Sequence, residues 1–280
     1  MKKLLVVLFI ATVSVSTEAQ VNTPAPSPFS KLEQKVGLTD VTVTYSRPSM
    51  RGRTIFGGLV PFDELWRTGA NGYTLISFGD NVTIGGKEVE AGTYSIFTKP
   101  GKQSWEVIFY TDTKGGGTPQ KWDDSKVVAK VSAPVKQLPF DVETFTITFG
   151  DLTSNSVELV FNWERSHVGV TINVPTAMKA QKSIDAVMGG PTANDYYAAA
   201  SYYFGEGKDM KQAKEWIDKA VSMDKDAFWM SRQQSLIYEK LGDMKGAIAA
   251  AKNSITAAKK RGNEQYVKMN EASLKSWGIE

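Results

Sequence analysis

Apolar and polar residues alternate with a period of two from about residue 29 to residue 175. In each run the apolar side chains occupy every second position, and the clearest runs are residues 41–45, 94–96, 105–109, 145–149, 157–163 and 168–174. This alternation is typical of strands that place one face on a core. No convincing helical pattern interrupts it, so the region predicts roughly nine or ten short antiparallel strands in a sandwich or barrel.

Two short segments predict turns between these strands. Gly85 and Gly86 predict a tight hairpin, because glycine tolerates the positive φ angles that such turns need. Residues 164–167 are predicted to join the last two strands, which places His167 at a hairpin on the polar face. We interpret His167 as an exposed residue without a catalytic role.

The period changes near residue 176. Pro175 ends the last strand, and residues 176–188 predict a connecting helix that the Gly-Gly-Pro sequence at 189–191 terminates. Beyond it the chain is rich in Ala, Lys and Met and shows no strand alternation. The chain therefore divides into a strand-rich part and a helical part.

The helical part contains an internal repeat with a period of 34 residues. Residues 207–213 align with residues 241–247, and small residues recur where two helices would approach closely: Ser201, Ala213 and Ala220, then Ser235, Ala247 and Ser254. A 34-residue period of two helices resembles the tetratricopeptide repeat, in a degenerate form without the leading Trp and the Leu-Gly pair. Residues 263–277 predict a closing helix.

The tetratricopeptide resemblance implies a concave surface that binds peptides. The residues that would face it include Tyr202, Trp229, Arg232 and Lys240. The alternative is that Trp229 packs against a neighbouring helix. Two units and a cap are fewer than the roughly three repeats of a free-standing array, so we expect this part to dock on the strand-rich part or on a second copy of the chain.

Arginine is concentrated in residues 47–71, which we call the Arg-rich loop. Four of the seven arginines of the chain lie there, without any of its 26 lysines. Guanidinium groups offer a planar fork of donors that pairs with carboxylate or phosphate and stacks on aromatic rings. The loop therefore predicts an anion- or sugar-binding surface formed by Arg47, Arg51, Arg53, Trp66, Arg67 and Asn71.

A structural alternative exists for the same loop. Arg53 or Arg67 would pair with Asp63 or Glu64 and hold the loop to the sheet, and Trp66 would belong to the core.

Several separated motifs of the strand-rich part occur in a specific order. They are VGLTDV at 36–41, YSRP at 45–48, GRTIFGGLVP at 52–61, WRTGAN at 66–71, VTIGG at 82–86 and AGTYSIF at 91–97. In this order they resemble the exported bacterial family named domain of unknown function 2911, over roughly residues 27–175. The resemblance implies a domain and an exported setting, and it implies no activity.

Composition excludes several kinds of chemistry. The chain has 280 residues, no Cys and one His. Disulfides, thiolate nucleophiles, iron–sulfur clusters and multi-His metal sites are therefore excluded, and we predict neither a metal nor a cofactor. The net charge of +3 is too small to indicate binding to nucleic acid.

Residues 1–19 have the pattern of a cleaved secretory signal. Two lysines at positions 2 and 3 precede an apolar run at 4–15 that is too short to cross a bilayer of roughly 30 Å. Gln20 is the expected mature N-terminus, and residues 20–28 form a Pro-rich, poorly ordered linker. We expect a mature chain without a membrane span, in the periplasm or outside the cell.

The sequence thus predicts an α+β chain in two segregated parts. An antiparallel β-sandwich or barrel-like domain occupies residues 29–175, a connecting helix lies in 176–190, and helical hairpins with a capping helix occupy 191–280. We expect a non-catalytic binding or assembly protein of the cell envelope, with a protein or peptide partner for the helical part and an anionic or carbohydrate ligand at the Arg-rich loop. The alternatives are a carbohydrate-active or anion-directed enzyme that uses this loop and nearby carboxylates, and an envelope protein that is purely structural. A homo-oligomer is compatible with each.

Overall fold

A computed structural model describes residues 23–188 and 190–279. Its strands are β1 (Phe29–Val36), β2 (Thr39–Ser46), β3 (Thr74–Phe78), β4 (Val82–Ile84), β5 (Lys87–Val89), β6 (Gly92–Pro100), β7 (Ser104–Tyr110), β8 (Val127–Gly150) and β9 (Ser156–Asn173). Its α-helices are α1 (Thr176–Val187), α2 (Ala193–Gly205), α3 (Met210–Met223), α4 (Phe228–Lys240), α5 (Met244–Lys260) and α6 (Glu264–Ser276). The chain divides into two compact units between Val174 and Pro175. The predicted order of an antiparallel β domain and an all-α tail is confirmed, and the predicted signal at 1–19 and its cleavage before Gln20 lie outside the described residues.

The β unit is one antiparallel sheet of nine strands in the order β1-β2-β3-β6-β7-β8-β9-β4-β5. The long strand β8 belongs to two halves of it, because its first part pairs with β7 and its second part pairs with β9. After β2, Ser49 forms an antiparallel bridge with Thr144 of β8, and Phe145 donates its backbone N–H to the carbonyl of Pro48 at 2.8 Å. These contacts bring the Arg-rich loop against the second half of β8.

The predicted hairpin at Gly85 and Gly86 is confirmed. Ile84 of β4 pairs with Lys87 of β5, and the two glycines between them have φ angles of +57° and +80°. Two successive positive φ angles are the requirement of a type I′ turn, which explains the glycine pair.

The predicted turn at residues 164–167 is wrong, because β9 runs through it without a break. Apart from Val160, the buried side chains occupy odd positions up to Trp163 and even positions from Ser166 onward. Glu164 absorbs this change of phase with a φ of +53°, and the pairing of β9 with β8 shifts its register nearby. A change of phase within one strand has the same sequence pattern as a turn between two. His167 is accordingly half-buried within the strand, where its Nδ1 lies 2.8 Å from Oδ1 of Asn162.

The helical unit contains two helical hairpins and a last helix. Helices α3 and α5 begin at Met210 and Met244, one predicted period apart. Asp209 and Asp243 cap them by accepting backbone N–H groups of the first turn. Small residues fill the hairpins as predicted, since Ala213, Ala220, Ser235, Ala247 and Ser254 are buried; Ser201 is half-buried. The arrangement fits a two-helix repeat, and the tetratricopeptide resemblance itself stays a prediction.

We predict that Gly246→Ala destabilises the helical unit although alanine is ordinarily the better helix former. A Cβ atom at Gly246 would overlap the ring of Tyr238, so the substitution forces that ring away from its hydrogen bond to Asp218. We expect a net loss of about 1–2 kcal/mol in urea unfolding, because overpacking outweighs the propensity gain of about 1 kcal/mol. Gly205→Ala is the control: nothing lies within 4 Å of its Cβ position, so we expect no loss. Equal effects of the two substitutions would contradict the close packing.

Candidate functional site

A cavity of about 390 Å³ lies against the Arg-rich loop. Four of the six residues predicted for a ligand surface line it, namely Arg51, Arg53, Trp66 and Arg67. Its other polar side chains are Ser27 and Ser49, and the rest of the lining is apolar or glycine: Pro26, Pro48, Leu59, Val60, Gly69, Ala70 and Trp163. We call it the arginine cavity.

The loop that builds this cavity contains several left-handed residues that are not glycine. Arg51, Asp63, Thr68 and Asn71 have φ angles between +51° and +62°. Thr68 is the most demanding, since its branched side chain disfavours this conformation and is fully buried. Hydrogen bonds hold it in place: its hydroxyl lies 3.1 Å from Oγ1 of Thr98, and its carbonyl accepts the hydroxyl of Thr74 at 2.6 Å. Backbone strain of this kind is concentrated at functional sites.

Two carboxylates hold the backbone of the loop. Oε1 of Glu143 accepts the backbone N–H of Arg51 at 2.9 Å. The two carboxylate oxygens of Glu164 accept the backbone N–H groups of Ile55 and Phe56 at 3.2 and 3.3 Å. Both carboxylates therefore position the loop, and neither pairs with an arginine side chain in the part of the chain that the structure describes.

Arg51 and Arg53 use few of their donors within the chain. Nη2 of Arg51 donates to the carbonyl of Pro26 at 2.7 Å. Arg53 donates from Nε to the carbonyl of Met50 at 2.9 Å and from Nη2 to that of Ser49 at 2.7 Å. Since a guanidinium has five N–H donors, most of those in both side chains have no acceptor among the described residues and remain for another molecule.

Arg67 has no hydrogen-bond or ion-pair partner among residues 23–188 and 190–279, and its buried Nε lacks an acceptor there. The side chain as a whole is half-buried, and its Nη1 lies 3.9 Å from the Cβ position of Gly117. The ion pairs of the predicted structural alternative, Arg53 or Arg67 with Asp63 or Glu64, are not formed among the described residues, whereas its placement of Trp66 against the core agrees with the structure. A half-buried cation without an acceptor is a strong candidate for contact with an anionic ligand.

The other two predicted residues hold neighbouring segments. Arg47 donates from Nε to the carbonyl of Phe145 at 3.2 Å and from Nη2 to Oγ1 of Thr146 at 2.7 Å, which ties the loop to β8. Asn71 donates to the carbonyl of Ser27 at 3.3 Å and to Oγ of Ser46 at 3.2 Å. Neither residue lines the arginine cavity.

The end of the predicted linker forms a wall of the cavity. The carbonyls of Pro26, Ser27 and Pro28 accept hydrogen bonds from Arg51, Asn71 and the backbone N–H of Arg47, respectively. Pro26 and Ser27 also line the cavity. The sequence did not predict this role. A Pro- and Ser-rich composition indicates that a segment is not a strand, but it does not indicate which hydrogen-bond donors the fold brings to the carbonyls of that segment.

The floor of the cavity is aromatic. Trp66 stacks on Trp163, with ring centroids 5.7 Å apart and an interplanar angle of 19°. Trp163 is 1% exposed, donates from Nε1 to the carbonyl of Glu143 at 3.2 Å and contacts the rings of Phe56 and Phe145. The strand pattern predicted that Trp163 points inward, but it did not predict that Trp163 belongs to the site. The reason is that β9 lies about a hundred residues from the loop in sequence.

The four candidate residues of the helical unit have different surroundings. Trp229 packs on the cores of the helical hairpins, and Nη1 of Arg232 donates to Asn270 and Ser273 of α6. Burial lowers the pKa of Arg232 and raises that of Tyr202. Tyr202 is half-buried and Lys240 is exposed. The structure thus uses Trp229 and Arg232 in helix packing.

Asp218 is the centre of a hydrogen-bonded network between α3 and α4. Its carboxylate accepts hydrogen bonds from Nζ of Lys214 at 2.7 Å, from Nε2 of Gln234 at 2.8 Å and from the hydroxyl of Tyr238 at 2.6 Å. The hydrogen bond to Asp218 raises the pKa of Lys214, and burial, followed by the hydrogen bond to Asp218, raises the pKa of Tyr238.

We predict that this network loses stability at alkaline pH. Both Lys214 and Tyr238 hold their protons more tightly in the folded chain than in the unfolded chain. Their contribution to the free energy of unfolding is therefore complete below their ordinary pKa values of 10.5 and 10.0, and it is lost as the pH rises through their folded-state pKa values. Urea unfolding followed at 222 nm should show a free energy that falls above about pH 10. Asp218→Asn should make this dependence shallower, and an identical slope in the variant would contradict the assignment.

No group of three or more His, Asp or Glu side chains in residues 23–188 and 190–279 is arranged to hold a metal ion. Within the same ranges, no helix has both the length and the apolar character needed to cross a membrane.

Residues 27–172, just over half of the chain, match the family described as Protein of unknown function (DUF2911). Neither the curated proteins nor the solved structures gave a match. The family match contains the whole lining of the arginine cavity except Pro26.

Proposed function

The chain belongs to the DUF2911 family, proteins of unknown function, and from this premise we propose that it is a non-catalytic binding protein whose β unit takes an anionic ligand in the arginine cavity. One observation carries the proposal: Arg51, Arg53 and Arg67 line a single cavity whose lining contains no carboxylate. An anion bound there would relieve the mutual repulsion of three cations and accept their unused donors.

Binding is favoured over catalysis by the side chains around the cavity. Its lining contains no Asp, Glu or His that could act as a general acid or base. The nearby carboxylates of Glu143 and Glu164 accept backbone N–H groups of the loop. An enzyme that uses the loop with these carboxylates would have to release them from structural hydrogen bonds.

The proposal includes a cellular location and a partner for the helical unit. The signal pattern of residues 1–19 supports export to the periplasm or the cell exterior. The paired helices of the second unit support contact with an envelope protein or peptide, and Lys240 is the exposed candidate residue for it. The protein would thus act in binding or assembly at the cell envelope.

Titration calorimetry with inorganic phosphate and acetate at constant ionic strength tests the anion site. We expect the double variant Arg51→Gln/Arg53→Gln to weaken binding about tenfold or more, since a hydrogen bond to a charged group is worth about 1.5–3 kcal/mol. The double variant Arg165→Gln/Arg261→Gln is the charge-matched control, because both arginines are exposed and neither lines the cavity. Absence of binding by the wild type, or equal affinities in Arg51→Gln/Arg53→Gln and the wild type, would contradict the proposal.

A further inference from the structure

The chemistry of the arginine cavity also restricts what its ligand is made of. We infer that the ligand is a small amphipathic anion: a carboxylate or phosphate head on an aromatic or aliphatic body, and not a polyhydroxylated sugar. This inference rests on the proposed function and goes further, because an anion site alone would accept either kind of ligand.

The polar side chains of the cavity are almost entirely donors. Guanidinium groups only donate, and the two remaining polar side chains are the hydroxyls of Ser27 and Ser49. The carbonyls of Pro26 and Ser49 already accept N–H groups of Arg51 and Arg53. Each hydroxyl of a bound sugar would need an acceptor for its proton, and among the side chains of the lining only the two serine hydroxyls offer one. An ionised carboxylate or a doubly ionised phosphate monoester, in contrast, only accepts.

The remainder of the lining is apolar. It includes Trp66 and the buried residues Val60, Ala70 and Trp163, and Leu59 at 47% exposure contributes an accessible apolar surface. A small hydrated anion would bury little apolar surface against these residues, so its binding would gain little free energy from them. An aromatic or aliphatic body would bury more apolar surface and is therefore favoured. A volume of about 390 Å³ is near the lower end of the roughly 300–1,000 Å³ typical of ligand pockets, so this body is small.

The positions of the two kinds of surface are consistent with one ligand. Arg67 and Trp66 are consecutive in the chain and both line the cavity. The unpartnered guanidinium of Arg67 would hold the anionic head, and the aromatic floor next to it would hold the body.

Titration calorimetry with a matched set of probes tests the inference. The anionic aromatic probes are benzoate and phenyl phosphate, the anions without a body are acetate and phosphate, the neutral aromatic probe is benzyl alcohol, and the sugar acid is glucuronate. We expect each aromatic anion to bind at least about tenfold tighter than its small counterpart, since burial of even half a phenyl ring is worth about that factor. Benzyl alcohol should not bind, and glucuronate should bind no tighter than acetate. The comparison of benzoate with phenyl phosphate identifies the preferred head.

Leu59→Ser provides an independent readout with little risk to folding, because Leu59 is largely exposed. It should weaken benzoate about threefold or more and leave acetate unchanged; Leu152→Ser, at a similarly exposed position outside the cavity lining, should change neither. Tighter binding of glucuronate than of benzoate, or equal binding of acetate and benzoate, would overturn the inference and leave the anion site intact. No binding of any anion would overturn the proposed function with it.

Discussion

Trp163→Ala is expected to destabilise the β unit by about 3–5 kcal/mol, the range found when a buried aromatic residue is truncated in a core. Trp163 is 1% exposed and stacks on Trp66, so its removal leaves a cavity beneath the ligand site. The substitution also removes the indole N–H that the carbonyl of Glu143 accepts. Urea unfolding followed by circular dichroism measures the loss.

Trp122→Ala is the matched control for this prediction. Trp122 also stacks on an aromatic ring, that of Tyr110 at 4.5 Å, but it is half-buried and belongs to a separate small cluster with Phe97 and Ile108. Its truncation should therefore cost clearly less than that of Trp163. A loss below about 1.5 kcal/mol for Trp163→Ala would mean that the floor of the cavity is not part of the core.

Arg67→Gln is expected to reduce affinity for an anion about tenfold or more while leaving stability within about 0.5 kcal/mol of the wild type. The reason is that Arg67 donates no hydrogen bond to another described residue, so the folded chain loses no internal hydrogen bond and only the packing of a half-buried side chain. In the variant, a bound anion would lose the charged hydrogen-bond donor that Arg67 provides, so its affinity would fall. Calorimetric titration with benzoate and urea unfolding of the same sample give the two quantities.

Arg67→Lys separates charge from geometry at this position. Lysine keeps the positive charge and loses the planar fork, so we expect an affinity between those of the wild type and Arg67→Gln. A large loss of stability in either variant, with unchanged binding, would show that Arg67 is a structural residue instead.

The pattern of the chain predicts the elements better than their connections. Period-two alternation identifies the strands because the pleat itself creates it. At Glu164 the same pattern changes phase, and a bend in one strand cannot be distinguished from a turn by local sequence alone. The difference is made by β8, a partner strand whose pairing continues on both sides of the bend.

The candidate site was predictable in part. The concentration of arginine over lysine indicated the loop, because it reflects a local requirement for guanidinium. The sequence did not indicate which residues of the loop line the cavity and which hold neighbouring segments, since Arg47 and Asn71 donate to acceptors that only the fold brings near them. Likewise, Trp163 and the segment ending at Ser27 come from distant parts of the chain, and local sequence carries no signal of that proximity.

The most direct test of the anion site is a crystal structure of the chain grown with benzoate. We expect the carboxylate within about 3.2 Å of the Arg67 guanidinium, with the ring against the apolar residues of the arginine cavity near Trp66. Benzoate bound elsewhere on the chain while this cavity holds only water at a saturating concentration would contradict it.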